Sequence, residues 1–346
     1  MTDQKAAPPR RRRRAFKIIV AIVAALVLLA AITAAALTWY SDRQIDALDV
    51  ETQIPGDTDG DGIVDAPELR DIRNVLVVGS DSREELTAQE RKELGTGSFS
   101  GTRTDTIMLV QLDPERDGAA VLSFPRDLLV ERCDGSEGRI NGAYEIGEAN
   151  GTGGPTCLVR TVSDFSGIPV NHYVQLDFEG FVEIVDVLGG VRMCLGRPLV
   201  DEDANIDLPA GCQQLSGKDS LGFARVRKTD SDLGRIERQQ RLIRAIVTQT
   251  SSARVALDVP RLFRFASAVG DAVETDEGLS MGTMRSIAFT FRDLESKGIV
   301  TSTVPVTDQM ISGVAYLVAE TEEAEALFET YRRGVAASST AGPGDG

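Results

Sequence analysis

Five cations crowd into fourteen residues within the stretch Phe223–Gln240 (FARVRKTDSDLGRIERQQ). Arg225, Arg227, Lys228, Arg235 and Arg238 stand there in a chain whose formal net charge is −16. Drawn extended, Phe223–Arg227 puts Arg225 and Arg227 on one face, because side chains of a strand alternate with period two. From Asp232 onward the spacing of Ile236, Ile243 and Val247 predicts a helix, with Arg235 and Gln239 four apart on its flank. An arginine pair leading into an arginine-bearing helix start has the chemistry of an oxyanion or phosphate clamp. The same residues also suit a solvated helix face laced with ion pairs, and the stretch by itself fits both.

A second group comes from the elements upstream. Asn74–Ser80 (NVLVVGS) reads as a buried strand ended at Gly79 and followed by Asp81 and Arg83. A second strand runs from Asp105 to Leu112, and a tight turn leads to a third, AAVLSF, which finishes at Phe124 before Pro125, Arg126 and Asp127. In this hairpin Asp105 opens one strand and Arg126 closes its antiparallel partner, so both lie at one end. If the first strand is antiparallel to the second, Asp81 and Arg83 arrive at that end as well. Each aspartate alone reads as an ordinary loop cap. Two carboxylates and two guanidiniums at one sheet end are a stronger signal, and oxygen ligands beside arginines suit Mg²⁺ bound together with a phosphate. Arg139, just before a helix in RINGAYEIG, is a further candidate cation. No lysine-bearing phosphate loop and no dinucleotide glycine fingerprint accompanies these strands.

Histidine chemistry is nearly excluded, because His172 is the only histidine in the chain. It rules out two-histidine metal sites, and it sits at a strand entry where a structural role is expected. Four cysteines, Cys133, Cys157, Cys194 and Cys212, lack any CxxC spacing, so disulfides are favoured over zinc. Proximity favours the pairs Cys133–Cys157 and Cys194–Cys212 among the three pairings that four cysteines allow.

Residues 1–17 form a basic tail carrying Arg10–Arg14 and Lys17, followed by Ile18–Tyr40 without a charge. As a helix that run spans roughly 34 Å, enough to cross a bilayer's hydrocarbon core. Basic residues on its amino side place the tail in the cytoplasm and the rest outside, a single-pass cell-membrane protein with an extracytoplasmic domain. Ala34–Ala36 offers small residues for cleavage, but the run is long for a signal peptide, so an uncleaved anchor is expected. Residues 41–346 then hold 30 basic and 52 acidic side chains, and such an exterior repels nucleic acid over most of its surface. Anion binding there needs local arginine clusters. Residues 41–72 read as a linker containing Asp57, Asp59, Asp61, Gly62, Asp65 and Glu68, at the spacing of a calcium loop. A Ca²⁺-loaded stalk and a solvated acidic linker both fit it.

Downstream, helices are predicted around Thr156–Phe165, over FVEIVDVLGG, over Pro260–Val273 and Met281–Leu294, and over Glu320–Arg333. Strands are predicted at NHYVQLDF, VRMCL, IVTSTVPV and SGVAYLVA. The alternation predicts one three-layer α/β/α domain with a mixed central sheet over 73–334, after one transmembrane helix and before a disordered tail at 335–346.

The ordered blocks NVLVVGSDSR, RTDTIMLVQLDP, LSFPRDLLV, RINGAYEIG, VNHYVQLDFEGFVEIVDVLGGV and FARVRKTDSDLGRIERQQ resemble the LytR-CpsA-Psr family of cell-envelope glycopolymer ligases. The resemblance covers about Asn74 to Val306. It implies an enzyme that transfers a polyprenyl-pyrophosphate-linked glycopolymer to a hydroxyl of peptidoglycan. It also implies that Asp81 and Asp105 hold Mg²⁺, and that Arg83, Arg126, Arg139, Arg225, Arg227 and Arg235 line the pyrophosphate, supported by Gln239 and Asp232. Asp105 and Asp232 are both candidates to take the acceptor proton. A non-catalytic protein that binds or senses lipid-linked glycans is the alternative from another class, and a pyrophosphatase using water is a third.

Overall fold

The computed structural model describes residues 46–52, 73–80, 104–113, 118–226, 232–250, 272–279 and 299–334. The proposed anchor at 18–40, the calcium-like loop at 57–68, Asp81, Arg83, the 84–102 segment, Arg227, the tail at 335–346 and most of the two helices expected between 260 and 294 lie outside these residues. Among the described residues no helix is long and apolar enough to cross a membrane.

In chain order, a short strand β1 (Asp46–Leu48) precedes β2 (Arg73–Ser80), β3 (Thr104–Asp113) and β4 (Gly118–Phe124). The small strands β5 (Leu129–Glu131) and β6 (Glu137–Arg139) lead to helices α1 (Ala143–Asn150) and α2 (Gly154–Ser166). Then come β7 (His172–Leu176), α3 (Phe178–Val187), β8 (Val191–Leu195), β9 (Leu199–Asp201), β10 (Ile206–Leu208) and β11 (Gly211–Leu215). Helices α4 (Gly217–Arg225) and α5 (Asp232–Thr250) follow. Strands β12 (Val273–Asp276), β13 (Val300–Thr303), β14 (Val306–Ile311) and β15 (Val314–Ala319) and helix α6 (Thr321–Arg332) complete the order.

Seven strands make one mixed sheet, ordered β1-β12-β7-β2-β3-β4-β13. β3 runs antiparallel to both β2 and β4, as the hairpin argument requires, whereas β7 runs parallel to β2 and β13 parallel to β4. β4 is buried at every position, which suits its nearly continuous apolar sequence and a sheet covered on both sides. One face carries Leu76, Val78, Ile107, Leu109, Leu122 and Phe124 against Leu158 and Val162 of α2 and Phe328 of α6. A polar tie crosses this core. Gln111 Nε2 donates to Asn74 Oδ1 at 3.0 Å and to the Tyr331 carbonyl at 2.8 Å. On the other face α5 reaches the sheet, where Gln240 Nε2 donates to Ser123 Oγ at 3.0 Å and Thr303 Oγ1 at 3.1 Å. The expected three layers are therefore present. A satellite core joins Val185, Met193, Leu208, Phe223 and Leu242, so α5 bridges the main sheet and the β8–β11 ribbon.

Three expectations are corrected. Phe223–Arg227 is not extended through Arg225, because α4 carries that segment. Ser216 Oγ accepts from the Asp219 backbone N–H at 3.1 Å, and the Asp219 carboxylate reaches back to Ser216 N, a reciprocal cap that starts a helix here. Val273 opens β12 instead of closing a helix. Residues 46–48 are an edge strand and not linker, paired parallel to β12, with Glu51 bound to Arg160 and its backbone N–H to Thr156 Oγ1. Both expected disulfides form, Cys133–Cys157 and Cys194–Cys212, and among the described residues no cysteine is free. His172 opens β7 and is tied to the adjacent strand β12. Its Nδ1 lies 3.1 Å from Asp276 Oδ2, and the buried Asp276 also accepts from Tyr173 N at 2.8 Å and Gly278 N at 3.0 Å.

Candidate active site

The site begins with an irregularity. Gly79 pairs with Thr106 and Ser80 with Thr104, so Asp105 is an extra residue in β3. Such a bulge bends the strand and re-aims the side chain at the sheet end. Gly79 suits the close approach beside it, since a Cβ there would stand 3.0 Å from the Thr106 Cβ, tighter than an ordinary contact. Thr104 is fully buried, with its Oγ1 directed at the Asn141 carbonyl at 3.4 Å.

Across the hairpin, β4 ends at Phe124, opposite Ile107, and the chain turns through Pro125. This turn brings Arg126 Nη1 to 3.0 Å from Asp105 Oδ1, with both side chains partly buried. Asp127 continues the series. Its Oδ2 lies 3.4 Å from Arg126 Nε, and its Oδ1 lies 3.3 Å from Arg139 Nε. At these distances the two contacts are ion pairs and not aligned hydrogen bonds. Carboxylate and guanidinium thus alternate through Asp105, Arg126, Asp127 and Arg139. The backbone fixes the order: Ile140 N donates to the Leu128 carbonyl at 2.9 Å and Asn141 N to the Arg126 carbonyl at 3.3 Å. Arg139 is the most open member, with Nη2 donating to the Ala315 carbonyl at 2.9 Å and its guanidinium 5.7 Å from the Tyr316 ring centroid. Cys133–Cys157 staples the loop between β5 and β6 to α2, and Cys133 N donates to Thr161 Oγ1 at 3.1 Å.

From the other face α5 supplies polar groups. Gln239 Nε2 donates to Thr106 Oγ1 at 3.1 Å, next to the bulge. Arg235, one turn earlier, is 3% exposed and Arg238 is 6% exposed, so these two arginines are not part of a solvated face. Arg238 Nη2 donates to the Val226 carbonyl at 2.6 Å and so pins the exit of α4 against α5. Arg225 ends α4 with its guanidinium 4.9 Å from the Phe178 ring centroid. The described contacts therefore join Asp105, Arg126 and, through Asp127, Arg139, while Gln239 reaches Thr106 next to Asp105 and Arg225 lies on Phe178. Asp232 opens α5. Asp127 is the residue missed by sequence reasoning; its only signal is its place directly after Arg126.

The cluster's chemistry suits a polyanion, since guanidiniums match phosphate oxygens geometrically and stay charged at any physiological pH. Among the described residues no group of three or more histidine, cysteine or carboxylate side chains could hold a metal. The oxygen donors of Asp105 are of the kind that Mg²⁺ takes together with water and phosphate. β2 ends at Ser80, paired with Thr104 next to Asp105, and Asp81 lies outside the described residues.

Fold and site together define a three-layer α/β domain with a carboxylate–arginine series at one end of a mixed sheet. The chain belongs to the LytR_cpsA_psr family, whose model matches residues 38–333. It is 35% identical over 264 residues to the probable cell wall biosynthesis protein LcpB of Corynebacterium glutamicum, covering 75% of this chain and 61% of that protein. The share falls to 52% for LcpA of the same organism, at 32% identity, so the match spans about half to three-fifths of these corynebacterial relatives. A further relative, at 29% identity and 73% coverage of both chains, is the polyisoprenyl-teichoic acid–peptidoglycan teichoic acid transferase TagU of Oceanobacillus iheyensis. Among solved structures, Bacillus subtilis TagV superposes with a TM-score of 0.63 at 26% identity, covering 76% of this chain and 97% of that one. TagT bound to LI-WTA gives the same TM-score at 20% identity, a likeness of fold.

Proposed function

We propose that this chain is a membrane-anchored phosphotransferase of the cell envelope. Its donor is a glycopolymer linked to a polyprenyl pyrophosphate, and its acceptor is a hydroxyl of peptidoglycan. The observation that carries the reading is the series Asp105–Arg126–Asp127–Arg139 on a bulged sheet end, in a family whose relatives are named as teichoic acid transferases.

In the proposed reaction the acceptor oxygen attacks the phosphorus attached to the glycan, in line with the bridging oxygen. A new O–P bond forms, the bond to the bridging oxygen breaks, and polyprenyl phosphate leaves with the electron pair. Such a transfer asks for positioning and charge neutralisation more than covalent help. Arg126 and Arg139 supply fixed positive charge, while Asp105 and Asp127 hold the guanidiniums in place before substrate arrives. Arg225, Arg227, Arg235 and Arg83 extend the cationic lining in this reading, and Gln239 steadies Thr106 at the bulge. Asp105 with Asp81 would hold Mg²⁺, which would neutralise pyrophosphate charge. The acceptor proton goes to Asp105 or Asp232. Any Ca²⁺ held at 57–68 would stiffen the stalk and take no part in the chemistry.

The test uses full-length protein in vesicles with lipid-linked glycan, Mg²⁺ and peptidoglycan. Asp105→Ala and Arg126→Ala are expected to lower transfer by ~10²–10³-fold, the usual effect of losing one charge-stabilising group. Unchanged transfer in both variants sinks the site assignment. Glycan bound without turnover identifies a binding protein, and free phosphorylated glycan as the sole product identifies a pyrophosphatase.

A further inference from the structure

Among the described residues four large apolar side chains stand well exposed, and three of them are neighbours: Met310 (69%), Ile311 (38%) and Val314 (42%). They form the tip of the β14–β15 hairpin, where Ile311 pairs with Val314 across Ser312 and Gly313. Those two residues have φ of 52° and 83°, the left-handed pair that a tight hairpin turn of matching twist needs. Residues paired across strands share a face. Ile311 and Val314 therefore project from one face, and Met310 with Ala315 from the other. A protein partner docked on one face would leave the other in water. End-on insertion into an apolar medium covers both. Above the tip the ribbon turns polar at the exposed Thr307, Asp308 and Gln309.

The hairpin is rooted in the site. Leu317 N donates to the Asp127 carbonyl at 3.0 Å, and Tyr316 lies beneath Arg139. β14 starts just after β13, which ends level with the close of β4, where Arg126 follows. The amino-terminal tether arrives at the same end of the sheet, on the opposite margin. Asp46 pairs with Glu274, Glu274 with Gln175, and Gln175 with Val78, beside Gly79. The apolar run ends at Tyr40, and the five residues before Asp46 reach at most ~18 Å. Tether, site and hairpin root thus share one end of the sheet.

We infer that the tip of the β14–β15 hairpin inserts into the acyl-chain boundary of the bilayer and, with the tether, holds the site facing the membrane. The inference rests on reading residues 18–40 as an anchor, and it commits to a lipid surface as the partner.

The full chain carries Met310→Cys or Val314→Cys, labelled with a polarity-sensitive fluorophore and reconstituted into phosphatidylglycerol–phosphatidylcholine vesicles. The native cysteines are paired in disulfides and do not compete for the label. Asp164→Cys, exposed on α2 near the opposite sheet end, is the reference. Labels at 310 and 314 are expected to shift to the blue and to be quenched several-fold by lipids carrying a quencher on the acyl chain, with neither effect at 164. A chain that floats with the vesicles while the 310 and 314 labels match the 164 label overturns the inference alone. Quenching at only one of the two tip positions overturns insertion in favour of flat docking. A chain that stays in the aqueous fraction overturns the anchor and the inference together. Because no transfer is measured, failure of the proposed reaction leaves this result standing.

Discussion

Asp127 acts on the site through two other residues. Its carboxylate faces Arg126 on one side and Arg139 on the other, so replacing it with alanine leaves two guanidiniums without their shared counter-charge. Ion pairs this open to solvent are worth about 0.2–1 kcal/mol each, equivalent to as much as about five-fold. Asp127→Ala is therefore expected to raise KM for the donor by about that factor while kcat changes less; a loss confined to kcat would place the residue in the chemical step. At this scale the sequence was informative where residue type and strand direction sufficed. Antiparallel pairing of β3 and β4 brings Asp105 to Arg126, as expected from the hairpin. Asp127 escaped because a carboxylate after a strand usually caps a turn, and nothing local marks one that bridges its neighbour Arg126 to Arg139 of β6. The burial of Arg235 and Arg238 escaped for a related reason: charge in a sequence reads as surface until packing shows otherwise.

Elements decide how firmly these residues are aimed. Gly79 lets β2 pass close to Thr106, and Thr106 in turn receives Gln239. Gly79→Ala is expected to displace the bulge, cutting transfer several-fold or more while the chain still folds. Activity equal to wild type would show that the bulge tolerates the shift. Sheet periodicity predicts strands well, but register is needed to reveal that one residue is extra, which is why the bulge was not legible beforehand. The reverse holds for α4. Its Ser216–Asp219 cap is written in the sequence, yet the arginine alternation at 225 and 227 suggested a strand. Ser216→Ala is expected to cost ~1 kcal/mol in chemical denaturation, the usual value of an N-cap.

The whole molecule is held by long-range ties that no local pattern announces. Gln111 joins Asn74 to the carbonyl of Tyr331, 220 residues away in sequence. Gln111→Leu strands both partners in the core and is expected to cost ~1–3 kcal/mol by denaturation. Burial also pushes the Tyr144, Tyr173 and Tyr331 phenols above their ordinary range. Their folded pKa values lie above the unfolded ones, so this contribution to stability is fully present below about pH 10 and is lost as pH rises beyond it. Denaturation midpoints compared at pH 8 and pH 11 are expected to fall at the higher pH, and less so in Tyr331→Phe.

Strand β1 has its own consequence. Only three residues pair it with β12, and beyond them Glu51 binds Arg160 and Thr156. Peeling so short an edge is a local event, far cheaper than unfolding the sheet. Freed, residues 46–52 would add about 24 Å of extended chain to the proposed tether. On that proposal, release of one short strand would let the domain stand farther from its anchor than when the strand is docked.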